Sequence, residues 1–307
     1  MQEAEGTECT CRPTVPVAYD HFRSAPEESR MPFTRSRILY VTDLAYEARG
    51  RRYCDEDIYL TSRLREEFDL ALCHPRDAAA LLDAFDAVVV RNSGPVQGYE
   101  AAHESFRERA TERGTRVYNQ LTGRADMVGK QYLLDLTAAG YPVIPTVDRA
   151  EDLHRLPVAD EYVVKPRLGA DSAGLGIVPA GRVAEALDGA GDLLVQPRVD
   201  FAYEVSFYFV DHDYQYALYA PHPDRRWQLE PYDATVADLD FARRFIEWNG
   251  IDHGIQRVDA CRAPGGELLL VELEDLNPYL SLDALGEPAR DAFVTALRTA
   301  LRRLLAD

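Results

Sequence analysis

The 307-residue sequence predicts an α/β domain followed by an α+β region built on antiparallel strands. Three observations lead there. Between residues 37 and 118, short apolar runs alternate with amphipathic helical segments, the pattern of a parallel, helix-covered sheet. From about residue 120 the character changes, and strand follows strand across short turns. In the stretches YEVSFYFV and YQYALYA, the side-chain alternation is that of antiparallel strands.

The elements follow in order. Residues 1–35 lack periodicity and scatter prolines among charges, which predicts a mobile leader. RILYVTD (37–43) is a short buried-strand pattern. In 55–68, Ile58, Leu64 and Phe68 recur among charges at helical spacing, and Asp55, Glu56 and Asp57 suit the positive end of that helix better than a substrate-amine site. FDLALCH, DAAALLDAF and DAVVVRN continue the alternation, YEAAHESFRERATERG is a helix stopped by Gly114, and TRVYN is a strand. In such a sheet a ligand sits beyond the carboxyl ends of the strands. Arg91 and Asn92, at the end of DAVVVRN, are therefore candidates for a substrate carboxylate.

RADMVGKQYLLDLTAAG is expected as one helix ending at Gly140, and YPVIPTV as extended chain. YVVKP, LGIVP, DLLVQP, YEVSFYFVD, YQYALYAP, GIQRVDACR and ELLLVELED are strands, with helices near 182–190 and 235–249 and a final helix in PARDAFVTALRTALRRLL. There is no internal repeat. The domain expectation is a leader (1–35), an α/β substrate domain (36–120), a central region (121–200) and a C-terminal region (201–307).

Composition narrows the partners. The formal charge of −18 argues against nucleic acid or an anionic membrane. No apolar run approaches the roughly 20 residues that span a bilayer. Five scattered cysteines and seven histidines show no zinc spacing, so a reduced cytoplasmic protein is expected.

Two motifs carry chemistry. In YVVKPRLGADSAGLG, Lys165 ends an apolar strand directly before a glycine-rich loop. Glycine amides and one ammonium can together hold phosphate oxygens. In RVDACRAPGGELLLVELED, two strands flank a Pro-Gly-Gly turn. Asp259 lies on the first, while Glu272 and Glu274 project from one face of the second. Period-two alternation turns Leu269, Val271 and Leu273 to the opposite face. Three converging carboxylates repel unless a cation compensates, and oxygen-only ligation suits Mg²⁺ bridging phosphates. Arg257 shares the face of Asp259 and points where the carboxylates point.

In this order and spacing the residues resemble the ATP-grasp superfamily, most closely its glutathione-synthetase-like and amino-acid-ligase branches. The resemblance covers about residues 115–285 and implies an ATP-grasp fold behind an N-terminal parallel-sheet domain. It implies ATP and Mg²⁺ (or Mn²⁺) as cofactors. Lys130 and Lys165 resemble the two nucleotide-binding lysines. Gly169, Ser172 and Gly174 resemble the mobile phosphate loop. Gln196, Pro197 and Val199, in LLVQPRV, resemble the adenine-reading hinge. Glu204 and Leu273 resemble further nucleotide contacts. Asp259, Glu272 and Glu274 resemble the metal ligands, with Asn277 just beyond them. Arg226 resembles an arginine aimed at the γ-phosphate or a substrate carboxylate. ELEDLNPYL departs from the common Glu-x-Asn ending, a variant of natural-product pathways.

The expected function is an ATP- and Mg²⁺-dependent carboxylate–nitrogen ligase acting on a small amino-acid-like substrate through an acyl phosphate. An intramolecular version, resembling the cyclo-ligases that close O-ureido-serine to cycloserine, and a non-catalytic nucleotide-binding regulator are the alternatives. A homodimer is compatible with each.

Overall fold

The computed structural model describes residues 35–46, 53–91, 96–169, 174–189, 192–222, 225 and 228–307. The expected leader lies outside them, apart from Arg35. Arg37–Val41 (β1), Asp69–Cys73 (β2), Ala87–Val90 (β3) and Val117–Tyr118 (β4) form one parallel sheet in the order β2-β1-β3-β4. Tyr53–Leu64 (α1), Ala78–Leu81 (α2) and Glu100–Arg113 (α3) connect its strands. β1 and β3 are buried on both faces. Ile38, Tyr40 and Val89 pack with Leu60 and Leu64 of α1, while Leu39, Val41, Val88 and Val90 pack with Phe106 and Ala110 of α3. Burial on both faces is why these strands read as unbroken apolar runs. The strand order reverses between β1 and β3, so the crevice beyond their carboxyl ends is the place where such sheets bind ligands.

After α4 (Tyr132–Ala138), three strands follow: Glu161–Pro166 (β5), Gly176–Pro179 (β6) and Leu193–Pro197 (β7), antiparallel in the order β6-β5-β7. Val183–Gly189 (α5) covers one face, where Tyr162, Val164, Val183 and Val195 are buried together. Alternation turns Val163 and Lys165 to the other face.

The largest sheet is antiparallel, in the order β10-β9-β8-β11-β12: Tyr203–Val210 (β8), Asp213–Ala220 (β9), Glu230–Pro231 (β10), Ile255–Arg262 (β11) and Leu268–Glu274 (β12). Its core face buries Val205, Phe207, Val258, Ala260, Leu270 and Leu273 against Leu133 and Leu136 of α4 and Phe245 and Ile246 of α6 (Val236–Asn249). Thr235 and Asp238 form a capping box that starts α6. The chain closes on α7 (Glu287–Ala306), whose Phe293, Leu297 and Leu301 join the core beneath β1 and α1.

Two elements differ from expectation. Residues 124–140 are not one helix. Asp126–Val128 is a single 3-10 turn, and the helix proper is α4. Gly129 breaks the run at φ +88°, where a Cβ would stand 2.6 Å from Leu168 Cδ2. Lys130 N–H then donates to Arg167 O at 2.9 Å instead of into a helix.

The second difference is in β12. Asp259 pairs with Glu272, but Ala260 pairs with Leu270, so Val271 is the extra residue of a β-bulge. The bulge shifts the alternation by one. Leu268, Leu270 and Leu273 are buried in the core, while Leu269 and Val271 are half-buried with Glu272 and Glu274. The expected grouping of Leu269 and Val271 with Leu273 is corrected accordingly, because strict period two does not survive a bulge.

Candidate active site

The antiparallel register sets Asp259 of β11 opposite Glu272 and Arg257 opposite Glu274. One oxygen each of Asp259, Glu272 and Glu274 lie within 4.8 Å of one another. Asp259 also faces Ser206 of β8, two residues from Glu204 on the same face. The carboxylates are compensated from two sides. Arg257 Nε donates to Asp259 Oδ1 at 2.9 Å and Nη2 to Asp259 Oδ2 at 2.8 Å; Nη2 also pairs with Glu274, and Nη1 donates to Tyr279 O at 2.8 Å. Its guanidinium lies 6.0 Å from the Tyr208 ring. From the opposite side, Lys130 forms an ion pair with Glu272.

These charges act on one another. Burial pushes the Glu274 carboxyl up to about 8 against the pull of Arg257, with Asp259 and Glu272 adding to the rise. Burial would also raise Glu272, yet Lys130 and Lys165 outweigh it and hold that carboxyl at about 2. Lys165 ends β5 and is pushed down to about 8 by burial and Lys130, against Glu272. Lys130 is buried as well, but Glu272 keeps its pKa above the ordinary lysine value. Two lysines from different elements thus act on one carboxylate of the acidic cluster. Three convergent hard oxygen donors, Asp259, Glu272 and Glu274, are a donor set that fits Mg²⁺ or Mn²⁺.

Around this centre the other predicted residues take varied places. Gly174 has φ +75°, and a Cβ there would meet Pro166 Cγ at 2.8 Å, so Gly174 packs closely against the end of β5. Gly169 lies in the coil after β5; Ser172 falls outside the described residues, as do Asn92 and Arg226. Gln196 is buried in β7, and its amide donates to Thr146 Oγ1 at 2.8 Å and Ile144 O at 3.3 Å. Leu273 is fully buried in the core of the large sheet, so its side chain is not a nucleotide contact. Leu269 and Val271 stand on the carboxylate side instead. Asn277 is half-buried beyond β12.

Arg91 is not turned toward a ligand. It is 3% exposed; Nε donates to Asp57 Oδ1 at 3.1 Å, Nη1 donates to Pro278 O at 2.8 Å, and Nη2 lies 3.6 Å from Glu56. Glu56 and Asp57, expected as helix-end charges, are buried. Tyr40 OH and Thr42 Oγ1 also donate to Asp57, at 2.8 and 2.6 Å. The amphipathic count of α1 missed them because it treats charged residues as its solvent face. Sequence reasoning also missed Asp275, which is fully buried and accepts hydrogen bonds from Ala125 N–H and Met127 N–H at 3.2 and 2.9 Å. No local pattern marks such a residue, since Ala125 and Met127 lie about 150 positions away and Asn249, which donates to Asp275 Oδ2 at 3.0 Å, lies 26 away.

No family model matches the chain. It is 28% identical over 246 residues to the cycloserine biosynthesis protein DcsG of Streptomyces lavendulae, spanning 69% of this chain and 82% of that protein. The crystal structure of D-cycloserine synthetase DcsG superposes with a TM-score of 0.67 at 24% identity, covering 87% of this chain and 99% of the other. The ATP-grasp ligase PsnB, complexed with a minimal precursor, gives a TM-score of 0.58 at 19% identity (86% and 99% covered). D-alanine–D-alanine ligase from Bacillus anthracis, complexed with ATP, gives 0.61 at 13% identity (88% and 98% covered).

Proposed function

We propose, from the ATP-grasp fold that this chain adopts, that it is an ATP- and divalent-metal-dependent carboxylate–nitrogen ligase of natural-product biosynthesis, acting on a small amino-acid-like substrate. The observation that carries this reading is the meeting of Asp259, Glu272 and Glu274 with Lys130 and Lys165. Acids and bases of opposite charge, drawn from three strands and the turn before α4 into one centre, suit triphosphate chemistry. Likeness to a cycloserine biosynthesis protein favours ring closure within one substrate as the form the ligation takes.

The chemistry follows from what a carboxylate lacks. Its leaving group would be oxide, so it must first take the γ-phosphoryl of ATP and become an acyl phosphate. A substrate nitrogen then attacks the acyl carbon, loses a proton, and phosphate leaves. Asp259, Glu272, Glu274 and Asn277 would hold Mg²⁺ or Mn²⁺, which when bound neutralises the phosphate oxygens. Lys165 and Lys130 supply positive charge to the phosphates from fixed positions, and the glycines after β5 let the loop close. Arg257 would trade part of its contact with Asp259 and Glu274 for the transferring phosphoryl group. Leu269 and Val271 offer apolar surface beside the carboxylates. No protein nucleophile is needed.

The reading is tested by titrating the purified protein with ATP and Mg²⁺ in a calorimeter, with and without EDTA. Metal-dependent binding is the expected result; absence of any nucleotide binding contradicts it.

A further inference from the structure

The loop leaving β12 owes its shape to side chains from other elements. Pro278 O accepts from Arg91 Nη1, Tyr279 O from Arg257 Nη1 and Leu280 O from Tyr216 OH, each at 2.8 Å. The N–H groups of Leu280 and Leu282 donate to the two oxygens of Glu56, at 2.8 and 3.1 Å. Between those amides Ser281 is buried at φ +52°. A non-glycine residue in the left-handed region stores strain of about 1 kcal/mol or more, and persists only where its surroundings over-determine it. Two amides flanking such a residue form a small anion-binding concavity. Here the anion is built in: it is the Glu56 carboxylate, carried by the first turn of α1.

We propose that Glu56, supported by Arg91, is a positioning residue for the metal and phosphate site. It fixes the 278–282 turn, the turn fixes Tyr279 O, and Tyr279 O holds Arg257 among Asp259 and Glu274. The N-terminal sheet domain therefore does more than border the crevice. Through α1 and the end of β3 it completes the charge arrangement on the far side of the cleft. The inference rests on the ATP- and metal-dependent reading above.

The competing account is a buried ionic clamp that only stabilises the fold. The two separate on Glu56→Gln, which keeps the volume but sets an NH₂ group against one of the two amides. The probe is Mn²⁺ with the non-hydrolysable analogue AMP-PNP, followed by electron paramagnetic resonance at pH 8. Burial pushes the Glu56 carboxyl up to about 7, so at pH 8 the wild-type group is ionised. Mn²⁺ affinity in the nucleotide complex is expected to fall roughly 10-fold, the scale of losing an outer-sphere support. Adding Ser281→Gly should restore most of the Mn²⁺ affinity, because glycine takes φ +52° without strain. If Glu56→Gln fails to fold, Arg91→Lys, which keeps the charge but shortens the reach to Pro278 O, is measured the same way with the same expectation. A variant that melts earlier but binds Mn²⁺ as wild type overturns the proposal, as does failure of glycine at 281 to restore binding. A wild-type protein that binds no Mn²⁺ with AMP-PNP overturns the functional reading itself, and the inference with it.

Discussion

Asp126 holds the main chain of Asp275, and Asp275 holds the amides on either side of Asp126. Asp126 Oδ1 accepts the Asp275 N–H at 2.7 Å, and Asp275 Oδ1 accepts the Met127 N–H at 2.9 Å. Burial, followed by the charge of Asp275, raises the Asp126 carboxyl well above the usual carboxylate range. The exchange ties the turn before Lys130 to the end of the strand that carries Glu272 and Glu274, and so brings the lysine onto Glu272. Asp275→Asn leaves one amide facing a donor and should cost about 1–3 kcal/mol of stability. Because Lys130 shifts with the turn, ATP affinity should fall as well. Lys130→Met should lower affinity and carry a stability cost of its own, because it leaves Glu272 short of a partner. Urea unfolding and ATP titration on both variants check this; an Asp275→Asn protein that is destabilised yet binds ATP normally contradicts the link.

Glu272 is the carboxylate that both lysines act on, and Glu272→Gln preserves its shape. Turnover should fall roughly 100-fold or more, as when a preorganised charge contact is removed. Raising Mg²⁺ should recover part of the loss. Full activity at limiting Mg²⁺ would remove Glu272 from the site.

Lys165→Met keeps the apolar stem that packs at the end of β5. Losing one charge-assisted contact to phosphate, worth ~1.5–3 kcal/mol, should weaken ATP binding roughly 10- to 100-fold at near-unchanged melting temperature. Unaltered binding would assign Lys165 to β5 alone.

His103 in α3 gives the fold a pH dependence of its own. Burial and Arg107 lower its pKa from 6.5 to about 4, and its Nε2 has no hydrogen-bond partner. The folded pKa lies below the unfolded one, so the unfolded chain takes up the proton first. The stability contribution is therefore intact above about pH 6.5 and lost as pH falls toward 4, by on the order of 2–3 kcal/mol. His103→Leu should flatten that part of the stability–pH curve, measured by urea unfolding between pH 4 and 7.5. An unchanged slope would place the titration elsewhere.

What the sequence shows and hides follows from the range of each interaction. Asp259, Glu272 and Glu274 were legible because two adjacent strands and one turn bring them together. β1 and β3 were legible because strands buried on both faces are apolar throughout. Leu269 and Val271 were misplaced because a bulge is set by pairing with β11, and nothing within β12 announces it. The 124–140 helix was overextended because Gly129 looks tolerable until Leu168 is packed against it. Arg91 looked like a ligand contact because a strand end in a parallel sheet is where ligands sit; its actual partners come from α1 and from the loop after β12, at the other end of the chain.

The central claim is that ATP is cleaved between the β- and γ-phosphates to activate a carboxylate. The direct measurement is nucleotide analysis after incubating the protein with ATP, Mg²⁺ and a panel of D- and L-amino acids that includes O-ureido-serine. The account predicts substrate-dependent ADP and phosphate in equal amounts, matched in the mass spectrum by loss of one water from a substrate or substrate pair, and, for O-ureido-serine closing to cycloserine, by loss of its carbamoyl group as well. AMP and pyrophosphate in place of ADP and phosphate, formed with the same substrate, would contradict it.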